Sequence, residues 1–322
     1  MDIDLALSDD SSRSPEEPGE LPSISVRLCH LTRRHRWQVQ RALEPLFSSG
    51  TELDRAVRHV LLARGKRVRA SLALIASEAA GRPAADALPV AVAFELLHTA
   101  SLIHDDIMDD EQMRRGRACV HHLFGTGLAI TAGDLLIFEA YRRLLSLFDS
   151  HPAQAVERVL AIFTACAART CRGQALDLRW TNALPSTRRY LTMIRAKTGS
   201  MIEAPIECAA VLAQAPRSSC ERFRQYGRYL GTSFQIADDA IDDPEAGVPL
   251  KTKRQLAARC ARRSVRALEG VGHEPARTQL ATIANVVGHW KVPAPPPICP
   301  PSQGDMHVDR SVAFIEPGCV GI

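Results

Sequence analysis

No window of 18 residues in this chain is free of charged side chains, so nothing in it is expected to span a membrane. The first residues also lack the basic, apolar, small-residue order of a secretory signal. The nine cysteines contain no CxxC pair, and an odd number leaves one over in any disulfide framework. The expected setting is therefore a reducing cytoplasm. A surplus of one charge is scarce as well: 40 Lys and Arg against 36 Asp and Glu leave +4. That is too little for a broad field that grips nucleic acid, so any anion site must be local. The clusters Arg67/Arg69, Arg114/Arg115/Arg117 and Arg262/Arg263 are the places to look, although such runs are most often solvated helix faces.

The chain has 46% apolar residues over 322 positions, enough to bury a sizeable core. Residues 1–22 are acidic, punctuated by Ser and Pro, and short of large apolar side chains, so they read as a disordered arm. From Ser23 to residue 292 apolar residues recur every three or four positions without strand-like alternation, which predicts an all-α domain. Its helices are expected at about 24–48, 52–80, 84–112, 127–148, 153–178, 186–214, 219–243, 253–270 and 275–290, with Thr51, Ser186 and Ser218 as N-caps. Residues 293–322 begin with a proline run that forbids a continuing helix and read as a Pro-rich tail.

One internal resemblance carries chemistry. Residues 101–110, SLIHDDIMDD, and 234–243, FQIADDAIDD, share an apolar lead into DDxxDD, with first aspartates 133 positions apart (238 minus 105). Positions i and i+4 share a helix face, so Asp105 points with Asp109 and Asp238 with Asp242, while Asp106 and Asp239 widen each cluster. Like carboxylates repel, and at helix C-termini the macrodipole disfavours them further, so a cation should compensate. Hard oxygen donors without thiolates favour Mg²⁺ held jointly by carboxylates, water and substrate phosphates. Calcium in an EF-hand is disfavoured, because neither segment has the DxDxDG order. One such segment alone would read as a solvated acidic helix end; two, each led by apolar residues that bury the helix, read as a diphosphate site. Arg114, Arg115 and the run 65–69, GKRVR, supply cations for phosphate oxygens. No signature of a Ser, Cys or His nucleophile appears.

In these motifs the chain resembles the trans-isoprenyl diphosphate synthase family over about residues 50–243, and more weakly to about 290. The motifs are GKRVR (65–69), ELLHTASLIHDDIMDDEQMRRGR (95–117), GDLL (133–136), GQALDL (173–178), AKTG (196–199) and YLGTSFQIADDAID (229–242), in the family's order. The resemblance implies a helical bundle around a central cavity and, as a partner, a second copy of the chain. It implies Mg²⁺ bound by Asp105, Asp106, Asp109, Asp238, Asp239 and Asp242, with an allylic diphosphate contacted by Arg114, Lys197, Thr198 and Gln235. The second substrate, isopentenyl diphosphate, would meet Lys66, Arg69, His98 and Arg115. It further implies that Ala100 and Ser101, just before the first motif, border the growing tail; Phe138 and Tyr141 are candidate floor residues. The implied reaction is chain elongation, with geranylgeranyl diphosphate (C20) as product.

The segment after Asp243, PEAGVPLKTKRQ, departs from the family by being shortened, and Lys251 and Lys253 are expected to share one diphosphate contact there. A longer-chain synthase, a non-catalytic partner subunit and a cyclising terpene synthase are the alternatives. The last normally mixes Asn, Ser or Thr and Glu in its second cluster, which here repeats DDxxD.

Overall fold

A computed structural model of the chain describes residues 23–63, 65–179, 186–242 and 248–289. The arm at 1–22 and the Pro-rich tail at 293–322 lie outside the described residues. The rest is all-α. In chain order the helices are α1 (Ile24–Leu31), α2 (Arg33–Leu43), α3 (Glu52–Leu61), α4 (Val68–Ala79), α5 (Leu88–Met108), α6 (Val120–Phe124), α7 (Thr126–Leu145) and α8 (Ala153–Asp177). They continue as α9 (Thr187–Ile194), α10 (Ser200–Leu212), α11 (Arg217–Asp242), α12 (Leu250–Ala267) and α13 (Ala276–Gly288).

α5 and α10 run through the middle. Val90 to Leu97 along α5 and Met201 to Ile206 along α10 are buried without a break, including Glu95, Glu203 and Pro205. Residues 84–108 are apolar and long enough, by length and composition, to cross a membrane; 67% of that window is buried inside the helical unit, as a core helix requires. Around them pack α4, α7, α8 and α11, so the C-terminal ends of α5 and α11 carry their aspartates out of a shared core.

Several expected helices are interrupted, each for a local reason. The stretch 24–48 breaks at Thr32, whose hydroxyl donates to the Leu28 carbonyl (2.8 Å). The stretch 52–80 is cut between Leu61 and Val68, where Arg67 adopts φ 44° and ties the loop to the core. Its Nη1 donates to Glu95 Oε1 (2.7 Å), and its Nη2 donates to the carbonyls of Leu61 and Ala63. Both ends of this ion pair are buried, so losing one partner would strand the other charge. Thr51 and Ser186 cap their helices, accepting from the amides of Asp54 and Arg189. Ser218 does not cap: α11 already starts at Arg217, leaving Ser218 inside its first turn.

Two irregular elements went unanticipated. Met113–Arg114 pairs antiparallel with Arg117–Ala118, and Arg115 (φ 54°) and Gly116 (φ 73°) form the two-residue turn between them. Positive φ at both central positions is what such a hairpin needs, and glycine supplies one of them without strain. Between α9 and α10 the helix widens into a π turn over Arg195–Gly199, the AKTG motif. α8 crosses this turn so closely that a Cβ on Gly173 would overlap the backbone nitrogen of Lys197.

Gly173→Ala is therefore expected to destabilise the fold by about 1–3 kcal/mol, since the intruding methyl meets backbone and the intrinsic helix gain of about 1 kcal/mol is outweighed. Urea unfolding of the variant beside the wild type measures this; equal midpoints would show that α8 can step aside.

Candidate active site

The first acidic motif closes α5. Asp105 is half-buried on its last turn, Asp106 is buried, and Asp109 is the exposed C-cap, its amide donating to the Asp105 carbonyl (2.9 Å). Burial pushes the Asp105 carboxyl up; Lys197 opposes this and the charge of Asp109 adds to it. Asp106 faces the hairpin, where Arg114 Nε donates to its Oδ1. Burial and a hydrogen bond to Asp106 in turn raise the Cys119 thiol to about 11, so it stays protonated.

The second motif closes α11. Asp238 is exposed, whereas Asp239 is half-buried with both carboxylate oxygens occupied. The Tyr190 hydroxyl donates to Oδ2 (2.6 Å), and Gln235 Nε2 donates to Oδ1 (2.5 Å). Burial raises the Asp239 carboxyl, and these two donors pull it back. Asp242 ends the helix, and its side chain lies outside what is described.

Asp177, at the end of α8, links the two motifs: its charge raises the carboxyls of both Asp105 and Asp239. It accepts a hydrogen bond from Lys197 Nζ (2.7 Å), a residue held on the π turn next to half-buried Thr198. π turns add a residue to a helix and recur at functional sites. Here the turn aims Lys197 at a carboxylate on the neighbouring helix and within electrostatic range of Asp105.

Round α5 from Asp105 a pocket lies beneath the hairpin, lined in part by Arg67, Glu95, His98, Asp106, Arg114 and Arg115. Arg69 Nη1 donates to His98 Nε2 (3.2 Å), so that nitrogen is the unprotonated one. Burial, with Arg69 and three further arginines, holds the His98 imidazole well below the ordinary histidine range. Arg69 Nε is buried without a partner, a donor left for a ligand. Exposed Lys66 donates to Ser25 Oγ on α1 (2.6 Å).

The donor set suits a hard divalent ion that arrives with phosphate. Among the described residues no three His, Cys, Asp or Glu side chains converge as a preformed metal group. Asp109 and Asp238 are exposed and Asp105 is half-buried, while Asp106 and Asp239 accept hydrogen bonds from protein donors. Mg²⁺ needs only one or two carboxylates when phosphate oxygens and water complete its shell.

A model of the family described as polyprenyl synthetase matches residues 51–246, well over half the chain. The chain belongs to the polyprenyl synthetase family. Among its curated relatives, the short chain isoprenyl diphosphate synthase of Methanothermobacter thermautotrophicus is 42% identical over 191 residues, 59% of this chain and 58% of that protein. The geranylgeranyl pyrophosphate synthase of Geoglobus acetivorans is 40% identical, covering 59% of each. The octaprenyl diphosphate synthase of Escherichia coli is 31% identical over 201 residues, 62% of this chain and 60% of that one. The matched sequence thus spans about three fifths of the length of these relatives. In solved structures the likeness runs further. The geranylgeranyl pyrophosphate synthetase of Geoglobus acetivorans superposes with a TM-score of 0.74 at 28% identity, covering 80% of this chain and 99% of that one. For the synthetase from Pyrococcus horikoshii the values are 0.75, 25%, 83% and 99%.

Four positions differ from expectation: Lys251, Lys253, Phe138 and Ala100. Lys251 and Lys253 cannot share a contact, because residues two apart on a helix point about 200° apart. Lys253 is buried, its Nζ donating to the Asp239 carbonyl (3.4 Å), while Lys251 is exposed. Phe138 is 70% exposed and cannot floor a cavity within its own chain. Tyr141 does pack inward, edge-on to Phe163 (5.1 Å between ring centres), which meets Phe94 edge-on (5.2 Å). Ala100 is fully packed about 140° round α5 from Asp105, whereas half-buried Ser101 lies about 40° away, its hydroxyl donating to the His98 carbonyl (2.8 Å). Sequence reasoning passed over Tyr190, which no motif flags, and Asp177 and Glu95, which sit inside quoted motifs.

The state of His98 yields a pH test. Its folded pKa lies below the unfolded value, so the folded chain binds fewer protons and loses stability as pH falls through about 6.5. His98→Gln keeps an acceptor for Arg69 but cannot titrate. Its melting temperature is expected to fall less than that of the wild type between about pH 7.5 and pH 5.5. Parallel curves would mean that another group sets the acid limb.

Proposed function

We propose that the chain is a Mg²⁺-dependent prenyltransferase. In this reading it condenses isopentenyl diphosphate with an allylic diphosphate into a trans-prenyl diphosphate, with geranylgeranyl diphosphate (C20) the main product. The observation that carries the reading is the pair of acidic helix ends bridged by Asp177 and Lys197, beside a cavity lined with arginine.

Mg²⁺, when bound by Asp105, Asp109 and Asp238, would supply divalent charge against the diphosphate of the allylic substrate. Lys197 and Arg114 are the side chains placed to meet charge on the departing pyrophosphate, with Thr198 beside them. Gln235 and Tyr190 hold Asp239 still, so the second motif is presented by a fixed helix end rather than a free carboxylate. Arg69, Arg115 and Lys66, with neutral His98, orient the diphosphate of isopentenyl diphosphate so that its double bond faces the allylic carbon. The buried core below Asp105 keeps water from the allylic cation.

The seven described cysteines are all unpaired, which supports a reducing, cytoplasmic setting. Exposed Ile130, Phe138 and Leu145 fall on one side of α7 and support a homodimer through that helix.

Turnover with a C15 allylic primer is expected to need Mg²⁺ and to vanish with chelator. Asp105→Ala and Asp238→Ala should each lower it by at least about 10²–10³ while leaving the helices folded, the cost of losing one charge-stabilising contact. Near-normal turnover in either folded variant would falsify the reading, and a wild type that binds diphosphate without elongating would favour the partner-subunit alternative.

Product length follows from α5. Phe94 lies eleven residues before Asp105, about 20° off its line and about 16 Å deeper, where Phe163 and Tyr141 back it. Ser101→Phe is expected to shift products toward C15, and Phe94→Ala toward C25 and beyond, each read from the hydrolysed alcohols. Unchanged products in both stable variants would place the tail elsewhere.

A further inference from the structure

The Arg262/Arg263 cluster takes no part in the site above. It belongs to α12, which carries seven basic residues and no acidic one across Leu250–Ala267. Lys253 turns inward, and the other six are exposed: Lys251, Arg254, Arg259, Arg262, Arg263 and Arg266. At about 100° per residue they fall within one half of the helix circumference and run its length, about 27 Å for 18 residues. Ala257, Cys260, Ala261, Ser264 and Ala267 form the opposite, buried side. The arginines at 259, 262, 263 and 266 stand three and four apart, where like charges oppose the helix. Among the described residues no carboxylate lies within ion-pair distance of Arg259, Arg262 or Arg266, and Arg263 covers the ring of Tyr229 (5.6 Å).

We propose that this face of α12 is a docking surface for an anionic phospholipid bilayer. Its apolar side is already used against α11 and α13, so a partner that grips a helix in an apolar groove finds no anchor. Recognition must run through charge alone. A plane of lipid phosphates meets a straight row of cations without needing a matched shape, and arginine forks suit phosphate oxygens. The row is a ridge on one helix, and the half-buried Tyr229 ring beside it is covered by Arg263 rather than open to stack a base, which disfavours single-stranded nucleic acid. The surface would adsorb reversibly and without insertion, whatever reaction the acidic helix ends perform.

The test is sedimentation of the full chain with vesicles of phosphatidylcholine alone or mixed with phosphatidylserine. Binding is expected to the mixed vesicles only, and to fade as salt rises. The triple variant Arg259→Glu/Arg262→Glu/Arg266→Glu should lose it by roughly a hundredfold or more, and the corresponding triple Lys variant should keep it. Circular dichroism and prenyl transfer, both expected unchanged, show that the variants fold. A wild type that ignores anionic vesicles, a Glu variant that binds them equally, or tighter binding to duplex DNA or polyglutamate at the same salt would each overturn the assignment.

Discussion

Crowded negative charge at two helix C-termini is the constraint around which this molecule is organised. Asp105 and Asp239 lose hydration where each helix leaves the core, and both feel the charge of Asp177. The surrounding structure answers with donors of graded commitment. The Arg114 Nε and the Tyr190 hydroxyl are committed to Asp106 and Asp239, and Lys197 is shared between Asp177 and the field of Asp105. The remaining excess is what a cation and its phosphate would neutralise. Burying such groups is costly unless they are paired, so the same balance that readies the site also limits how much of it can be altered at once.

The basic side of the site rests on a different foundation. Arg69 and His98 keep their relation because Arg67 pins the preceding loop to Glu95 in the middle of α5. One buried ion pair therefore sets the height at which the arginine-lined cavity meets the first acidic motif. The hairpin carrying Arg114 and Arg115 is fixed in turn by the contact of Arg114 with Asp106, so the two halves of the site are mutually dependent.

How legible this was in the sequence depended on the range of the interactions. Apolar spacing of three and four, together with the caps at Thr51 and Ser186, comes from neighbours along the chain, and the helices start where these caps predicted although both predicted stretches are interrupted further on. The break after Leu61 was hidden because the force that makes it, Arg67 against Glu95, acts across 28 positions. The two-residue strands at 113–118 are too short to alternate, and the one-residue offset of a π turn is hidden in an apolar spacing that already mixes three and four. The Asp pairs could be read as chemistry, but not that Asp106 and Asp239 face protein donors, since Tyr190 lies 49 positions from its partner. Phe138 was misplaced for a simpler reason: an aromatic residue on an otherwise apolar helix reads as core, although it points away from the core of its own chain.

The π turn at Arg195–Gly199 fixes how this stretch of chain can be edited. A widened turn is one residue inserted into a helix, so α9 and α10 are joined with their faces out of ordinary register. Substitutions on either helix leave that offset intact. Removing one residue elsewhere in α9 or α10 while the widened turn persists would instead rotate everything beyond the deletion by about 100°. Either Tyr190 would swing away from Asp239, or the buried face of α10 would turn out of the core. For this segment, length is a stricter specification than composition.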